Sequence, residues 1–273
     1  AQKEFGGGKG ANQAIAASRL AADTTFISKV GKDGNANFIL EDFKKAGIHT
    51  QYILTSESEE TGQAFITVDE AGQNTILVYG GANMTLSATD VEMSVDAFIG
   101  ADFVVAQLEV PFEAIEQAFK IARKQNITTV LNPAPAIELP KSLLELTDII
   151  IPNETEAELL TGISINNESD MKETATYFLD LGISAVLITL GEQGTYCAYQ
   201  EQYKMIPACN VKAIDTTAAG DTFIGAFLSE LNKDLSNLES AIRLANQASS
   251  LTVQRKGAQA SIPTRKEVEA EYN

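Results

Sequence analysis

The sequence predicts an α/β fold with a mostly parallel central sheet covered by helices on both faces. Three observations predict it. Short apolar, β-branched runs alternate with longer segments of helical period through the middle of the chain. The alternation repeats often enough to need parallel strands joined by helical crossovers, and such sheets are buried on both sides. Several polar loops follow the strand-like runs directly, where open α/β sheets place their ligands.

The elements follow in order. Residues 14–22 are a small-residue helix behind a glycine run. Residues 26–30 read as a strand, and 35–46 as a helix closed by Gly47. Segments 63–68 and 75–79 flank Asp69-Glu70-Ala71-Gly72, a hairpin signal. This hairpin breaks the alternation, so its strands are expected outside the main sheet, as a flap over the site. Residues 88–99 are helical, 103–108 form a strand, and 112–125 a helix with Ile115, Ala118, Phe119 and Ala122 on one face. Strands at 129–131 and 149–151 bracket a proline-rich loop at 132–140. Helix 169–181 leads to a buried strand at 185–190. Runs 195–199 and 202–206 form a second hairpin, and 221–231 and 238–254 are helices. One compact domain over 1–273, with lid strands around 50–80, accounts for all of this.

Composition narrows the function. The net charge of −17 argues against nucleic acid and anionic membrane as partners, since both reward basic patches. No apolar run approaches the roughly 20 residues of a membrane-spanning helix. Two cysteines, Cys197 and Cys209, read as thiols of a reducing compartment, so a cytoplasmic location is expected. The single histidine, His49, excludes a multi-histidine metal site within the chain. It would have to serve as the base of any Ser-His-Asp hydrolase, and it reads instead as a surface residue behind Gly47.

The stretch 215–223, Asp-Thr-Thr-Ala-Ala-Gly-Asp-Thr-Phe, carries the chemistry. It follows a strand-like run and opens a helix. A helix start is an anion site, because its first N–H groups lack partners and the dipole favours negative charge. Asp221 in that turn can take a proton from a hydroxyl attacking a bound phosphate, and the helix N–H groups are expected to keep it ionised. The bland alternative is a first-turn acid that complements the dipole.

Gly6-Gly7-Gly8-Lys9-Gly10-Ala11-Asn12-Gln13-Ala14 opens the chain. Only five residues precede it, so it lacks the strand a dinucleotide fingerprint needs, and no Ser or Thr follows Gly-Lys as in a Walker loop. A backbone able to approach a small polyol, with Asn12 bonding hydroxyls, is the functional alternative to a plain tight turn. Asn153-Glu154-Thr155-Glu156 has the form of a capping box. Its functional alternative places Asn153 at phosphate and Glu156 beside a hydrated Mg²⁺. Thr189-Leu190-Gly191-Glu192-Gln193-Gly194 is either ordinary turn chemistry or a backbone bed for a nucleotide.

Segments 7–14 and 215–223 resemble the two signatures of the PfkB carbohydrate kinase family. Asn132-Pro133-Ala134-Pro135-Ala136, Pro152 to Glu156, and Arg255-Lys256-Gly257-Ala258-Gln259 extend the resemblance toward its ribose-phosphorylating branch. It runs in order from Gly7 to about Pro263. The resemblance implies a three-layer αβα sandwich with a small β-sheet lid, and ATP-dependent phosphorylation of D-ribose. It implies sugar contacts at Gly8, Lys9, Gly10, Ala11, Asn12 and Glu109, with Asp221 as base and Ala218, Ala219 and Gly220 as anion hole. It implies a nucleotide side built from Asn153, Thr189 to Gly194, Gly220 and Asn246, with Glu156 near Mg²⁺. It further implies a K⁺ site from Asp215, Thr217, Thr252, Arg255, Gly257 and Ser261, largely through carbonyls, and a homodimer formed through the lids. Sibling specificities, for another sugar or a nucleoside, and a non-catalytic sugar binder stay open. Two departures are visible. Ala218 stands where the signature often has glycine. The family's front strand, with its sugar-gripping Asn-x-Asp segment, is not in these residues, and further sequence is expected to precede Ala1.

Overall fold

The structure, a computed structural model, describes residues 5–68 and 74–272. The early strands are β1 (Ser28–Val30), β2 (Ile53–Thr55), β3 (Gln63–Val68) and β4 (Asn74–Tyr79). The later ones are β5 (Phe103–Ala106), β6 (Thr128–Leu131), β7 (Ile149–Ile150), β8 (Ala185–Thr189), β9 (Gly194–Tyr199) and β10 (Gln202–Pro207). Helices begin with α1 (Lys9–Arg19), α2 (Gly34–Ala46), α3 (Ala88–Met93), α4 (Phe112–Lys124) and α5 (Lys141–Leu144). They continue with α6 (Glu154–Thr161), α7 (Glu168–Asp180), α8 (Ala219–Glu230), α9 (Leu238–Val253) and α10 (Arg265–Tyr272).

A six-stranded sheet runs β10-β9-β8-β7-β6-β5. Strands β5 to β8 are mutually parallel, and β9 and β10 add an antiparallel end. Strand alternation sends Val130, Ile149 and Leu187 to one face, where Ile224, Phe227, Ala241 and Ala245 of α8 and α9 cover them. Leu131, Ile150, Val186 and Ile188 point the other way, onto Ile115 and Phe119 of α4 and Phe178 of α7. Both faces are dry, which is why these strands read as unbroken apolar runs, and the result is the expected three-layer sandwich.

Four local expectations change. The helix placed at 14–22 is α1, which starts five residues earlier, at Lys9, behind the N-cap Gly8 (φ 92°). The helix placed at 88–99 ends at Met93, where Ser94 Oγ donates to the Asp90 carbonyl (2.9 Å), and a short 3₁₀ turn follows. Strand β1 pairs in parallel with β2, in register Ser28↔Ile53, as a separate two-stranded sheet. Helix α10 was not anticipated; Val268 is its only buried residue, so it carries almost no periodic signal. The antiparallel pair β3–β4 stands apart from the main sheet, and its connecting residues 69–73 lie outside the described ones. No described helix is long and apolar enough to cross a membrane.

Helix α1 crosses α8 closely at Gly225. A Cβ there would lie 2.5 Å from Ala16 Cβ and 2.6 Å from the Ala17 nitrogen. Only the missing side chain lets the two helices approach so far, and this contact brings their N-terminal ends together.

Candidate active site

Helix α8 begins behind Ala218, which takes the left-handed conformation (φ 62°, ψ 11°). The Ala219 N–H closes the turn onto the Thr216 carbonyl (3.2 Å), and Ser249 Oγ donates to the Ala219 carbonyl (2.9 Å). The Ala219 N–H is therefore not free for an anion, contrary to expectation. Gly220 and Asp221 come next, where N–H groups have no intrahelical partner, and no atom would crowd a Cβ on Gly220. The left-handed geometry costs Ala218 roughly 1–2 kcal/mol, partly offset by the unfolded-state entropy that alanine saves over glycine. Ala218→Gly is expected to raise the unfolding midpoint by about 1–2 °C with turnover retained. A lower midpoint in calorimetry would show that the turn carries no such strain.

Asp221 is buried, with an oxygen turned to each of two amides of α1. Asn12 Nδ2 donates to Oδ2 (2.8 Å) and Gln13 Nε2 donates to Oδ1 (3.0 Å). Gln13 Nε2 also donates to Asn132 Oδ1 (3.1 Å), and Asn132 Nδ2 donates to the Ile151 carbonyl (3.0 Å). Gln107 Nε2 donates to Gln13 Oε1. The Lys9 N–H, at the head of α1, donates to Glu109 Oε2 (2.8 Å). The starts of α1 and α8 thus meet the carboxyl ends of β5, β6 and β7. Asn12 Oδ1 is buried there without a hydrogen-bond partner, and an orphaned acceptor of this kind calls for a donor.

Burial raises the Asp221 pKa above the usual aspartate range, while Asn12, Gln13 and the Lys9 charge pull it back. The expectation that the helix start keeps it low is corrected: loss of water outweighs the favourable donors. Burial also raises Glu109, against the Lys9 N–H and charge, and Asp221 adds to the rise. Glu156 is raised by burial too, opposed by the Asn153 N–H and Lys9, with Asp221 again adding. Three acids that resist ionisation around one lysine make a region short of positive charge.

Among the residues assigned to the nucleotide by resemblance, Asn153 and Glu156 form both halves of the capping box, at 2.8 and 2.9 Å. Glu156 is nevertheless buried and electrostatically linked to Asp221. No group of three or more His, Cys, Asp or Glu ligands occurs among the described residues. Residues 153 and 189 are bridged in parallel, and the Thr189 N–H donates to the Pro152 carbonyl (2.9 Å). Gly191, Glu192 and Gln193 are exposed, with open space at Gly191.

Four positions assigned to ligands are occupied by the fold itself. The Leu190 side chain is in the core. A Cβ on Gly194 would sit 2.2 Å from the Ile206 carbonyl oxygen, so this glycine packs against backbone, and one on Gly10 would sit 2.8 Å from Gln107 Oε1, at the end of a side chain. Asn246 gives its amide hydrogens to the carbonyls of Ile206 (3.2 Å) and Pro207 (3.1 Å) and accepts from Thr195 Oγ1 (3.1 Å). That amide ties α9 to the end of β10.

Of the residues assigned to a monovalent cation, Asp215, Thr217 and Gly257 meet directly. Asp215 accepts from the N–H (3.0 Å) and Oγ1 (2.7 Å) of Thr217 and from the Gly257 N–H (2.9 Å). These bonds hold its carboxyl below the usual range, the Gly257 N–H most of all. Thr252 Oγ1 bonds Thr222 Oγ1 (3.0 Å), Ser261 Oγ bonds the Ala258 carbonyl (2.6 Å), and Arg255 pairs with Glu267 (2.8 Å). With these side chains engaged internally, only main-chain carbonyls suit the role inferred for Thr252, Arg255 and Ser261. Sequence reasoning missed Gln13 and Gln107. Two adjacent amides in a helix of small apolar residues, and a glutamine just past an apolar strand, were the signals available.

Comparison with known proteins places the chain in a family. Residues 1–265 match the family described as pfkB family carbohydrate kinase. A protein named ribokinase from Staphylococcus aureus is 65% identical over 98% of this chain and 88% of its own length. A ribokinase from Haemophilus influenzae is 45% identical over 96% of this chain and 85% of its own. Among solved structures, Arabidopsis thaliana ribokinase complexed with ribose and ATP superposes with a TM-score of 0.89 at 33% identity, covering 97% of this chain and 86% of that one. The ribokinase-like fold follows from that likeness, and the family match spans nearly the whole sequence. The family match and these identities agree, and the chain belongs to the pfkB family of carbohydrate kinases.

Proposed function

We propose that the protein transfers the γ-phosphoryl group of ATP to D-ribose, giving D-ribose 5-phosphate and ADP. The observation that carries this is the pairing of buried Asp221 with Asn12, whose Oδ1 has no partner. A sugar hydroxyl donates to such an acceptor, and a neighbouring hydroxyl lies within reach of the carboxylate. Asp221 takes the proton as the hydroxyl oxygen attacks phosphorus, and the N–H groups of Gly220 and Asp221 receive the charge on the transferred group. Glu109, fixed by the Lys9 N–H, accepts from further hydroxyls. The relatives named ribokinase, one of them complexed with ribose and ATP, favour ribose over other sugars.

Mg²⁺ held through Glu156 and water would neutralise phosphate charge in this cation-poor region. K⁺ on carbonyls of the 215–217 and 252–261 loops would steady the turn that follows. Two copies are proposed to pair through β3–β4, because Phe65 and Leu77 on one face and Val78 on the other are all exposed. Assay of ATP with ribose, deoxyribose, fructose and a nucleoside is expected to give the highest kcat/KM for ribose. Absence of ribose turnover would refute the assignment. The acid limb of kcat/KM is expected above the usual aspartate range, since activity falls as pH drops through a pKa that burial has raised.

A further inference from the structure

Resting on that kinase reaction, we propose that Gln13 is a positioning residue that locks the Asp221 carboxylate in line for proton transfer. The direction of every hydrogen bond around it is forced. The Ile151 carbonyl can only accept, so Asn132 turns Nδ2 toward it (3.0 Å) and presents Oδ1 to Gln13. Gln13 Nε2 then has one hydrogen for Asn132 (3.1 Å) and one for Asp221 Oδ1 (3.0 Å). Gln13 Oε1, facing away, accepts from Gln107 Nε2, which blocks rotation of the amide. Gln13 is 2% exposed, so water does not replace these partners.

The consequence is selective. Asp221 Oδ2 is bonded by Asn12, a residue placed at the sugar, so its grip is exchangeable when substrate arrives. The Oδ1 side is held by a relay of three amides running to the ends of β5, β6 and β7, independent of substrate. Gln13 therefore fixes the carboxylate plane and donates to the ionised form, leaving the Oδ2 side for the incoming hydroxyl. The charged groups facing Asp221 are Lys9 on α1, Glu109 after β5 and Glu156 on α6. None of them bonds Oδ1, so none replaces Gln13.

Gln13→Met keeps the length of the side chain and removes its donors. Wild type, Gln13→Met and Gln107→Met are compared for kcat, ribose KM, the pH profile of kcat/KM and thermal unfolding. Gln13→Met is expected to lower kcat about 10- to 100-fold with KM within about threefold. Its acid limb should move up by about half to one pH unit, because the protonated acid gains when the donor goes. Gln107→Met should move both readings the same way by less. A lowered unfolding midpoint with wild-type kcat and an unmoved acid limb would mean a purely structural role and would overturn the proposal. If Gln13→Met does not fold, unchanged kcat and acid limb in Gln107→Met overturn it instead. Wild-type protein inactive on ribose would sink the reaction itself, whereas active wild type with unaltered variants sinks only the role of Gln13.

Discussion

Asp221→Asn is expected to lower kcat about a thousandfold, leave ribose KM within a few-fold, and raise the unfolding midpoint at neutral pH. The first effect is the loss of the buried base in the first turn of α8, and general-base contributions run to about 10²–10⁴-fold. The second follows because Asn12 and Glu109 keep their sugar-facing groups. The third follows from linkage. Burial raises the folded-state pKa of Asp221 above its unfolded value, so between those values the folded protein binds the extra proton. Stability therefore falls as pH rises through that window, and the ionised carboxylate is a burden at neutrality. An amide removes the charge. It still accepts from Gln13, and Asn12 can turn its unpartnered Oδ1 to accept from the new amide hydrogens. Turnover within tenfold of wild type would remove Asp221 as base. An unfolding midpoint that drops would show that the two amide donors, not burial, govern the group.

The chemistry of the site was more legible in the sequence than its mechanics. Asp221 follows Gly220, Asn12 lies just past a glycine run and Glu109 lies in the loop after β5, and the fold brings all three to one region. The αβα layering was legible because β6, β7 and β8 are apolar on both faces. The start of α1 was not, because glycine disfavours helix interiors, and what begins the helix at Lys9 is tertiary: the Glu109 carboxylate takes its first N–H. Strand β2 is not legible, because three residues carry no period. Gln13 and Gln107 were invisible as a pair because their bond spans 94 residues. The protonation tendency of Asp221 is hidden from the sequence for a related reason. Helix position is local and readable, whereas burial depends on α1 lying across α8.

That crossing is testable at its narrowest point. Gly225→Ala is expected to destabilise the protein by about 2 kcal/mol and to reduce kcat as well. Two of the three atoms nearest the added methyl are backbone, the Ala17 nitrogen at 2.6 Å and the Gln13 carbonyl oxygen at 2.7 Å, and the third is Ala16 Cβ at 2.5 Å. Backbone cannot swing aside as a long side chain would, so α1 must move bodily. Overpacking of this kind costs about 1–3 kcal/mol, here at the upper end, against a helix-propensity gain of up to about 1 kcal/mol. The unfolding midpoint should fall by roughly 4–8 °C. Because the same helix carries Asn12 and Gln13, its displacement lengthens both bonds to Asp221, and kcat should fall further than stability alone explains. Gly34→Ala is the control: it heads α2, no atom lies within 4 Å of the added methyl, and only the propensity gain applies. If Gly225→Ala behaves like Gly34→Ala, the α1–α8 contact is slack and the Asp221 carboxylate is held by something other than the register of these two helices.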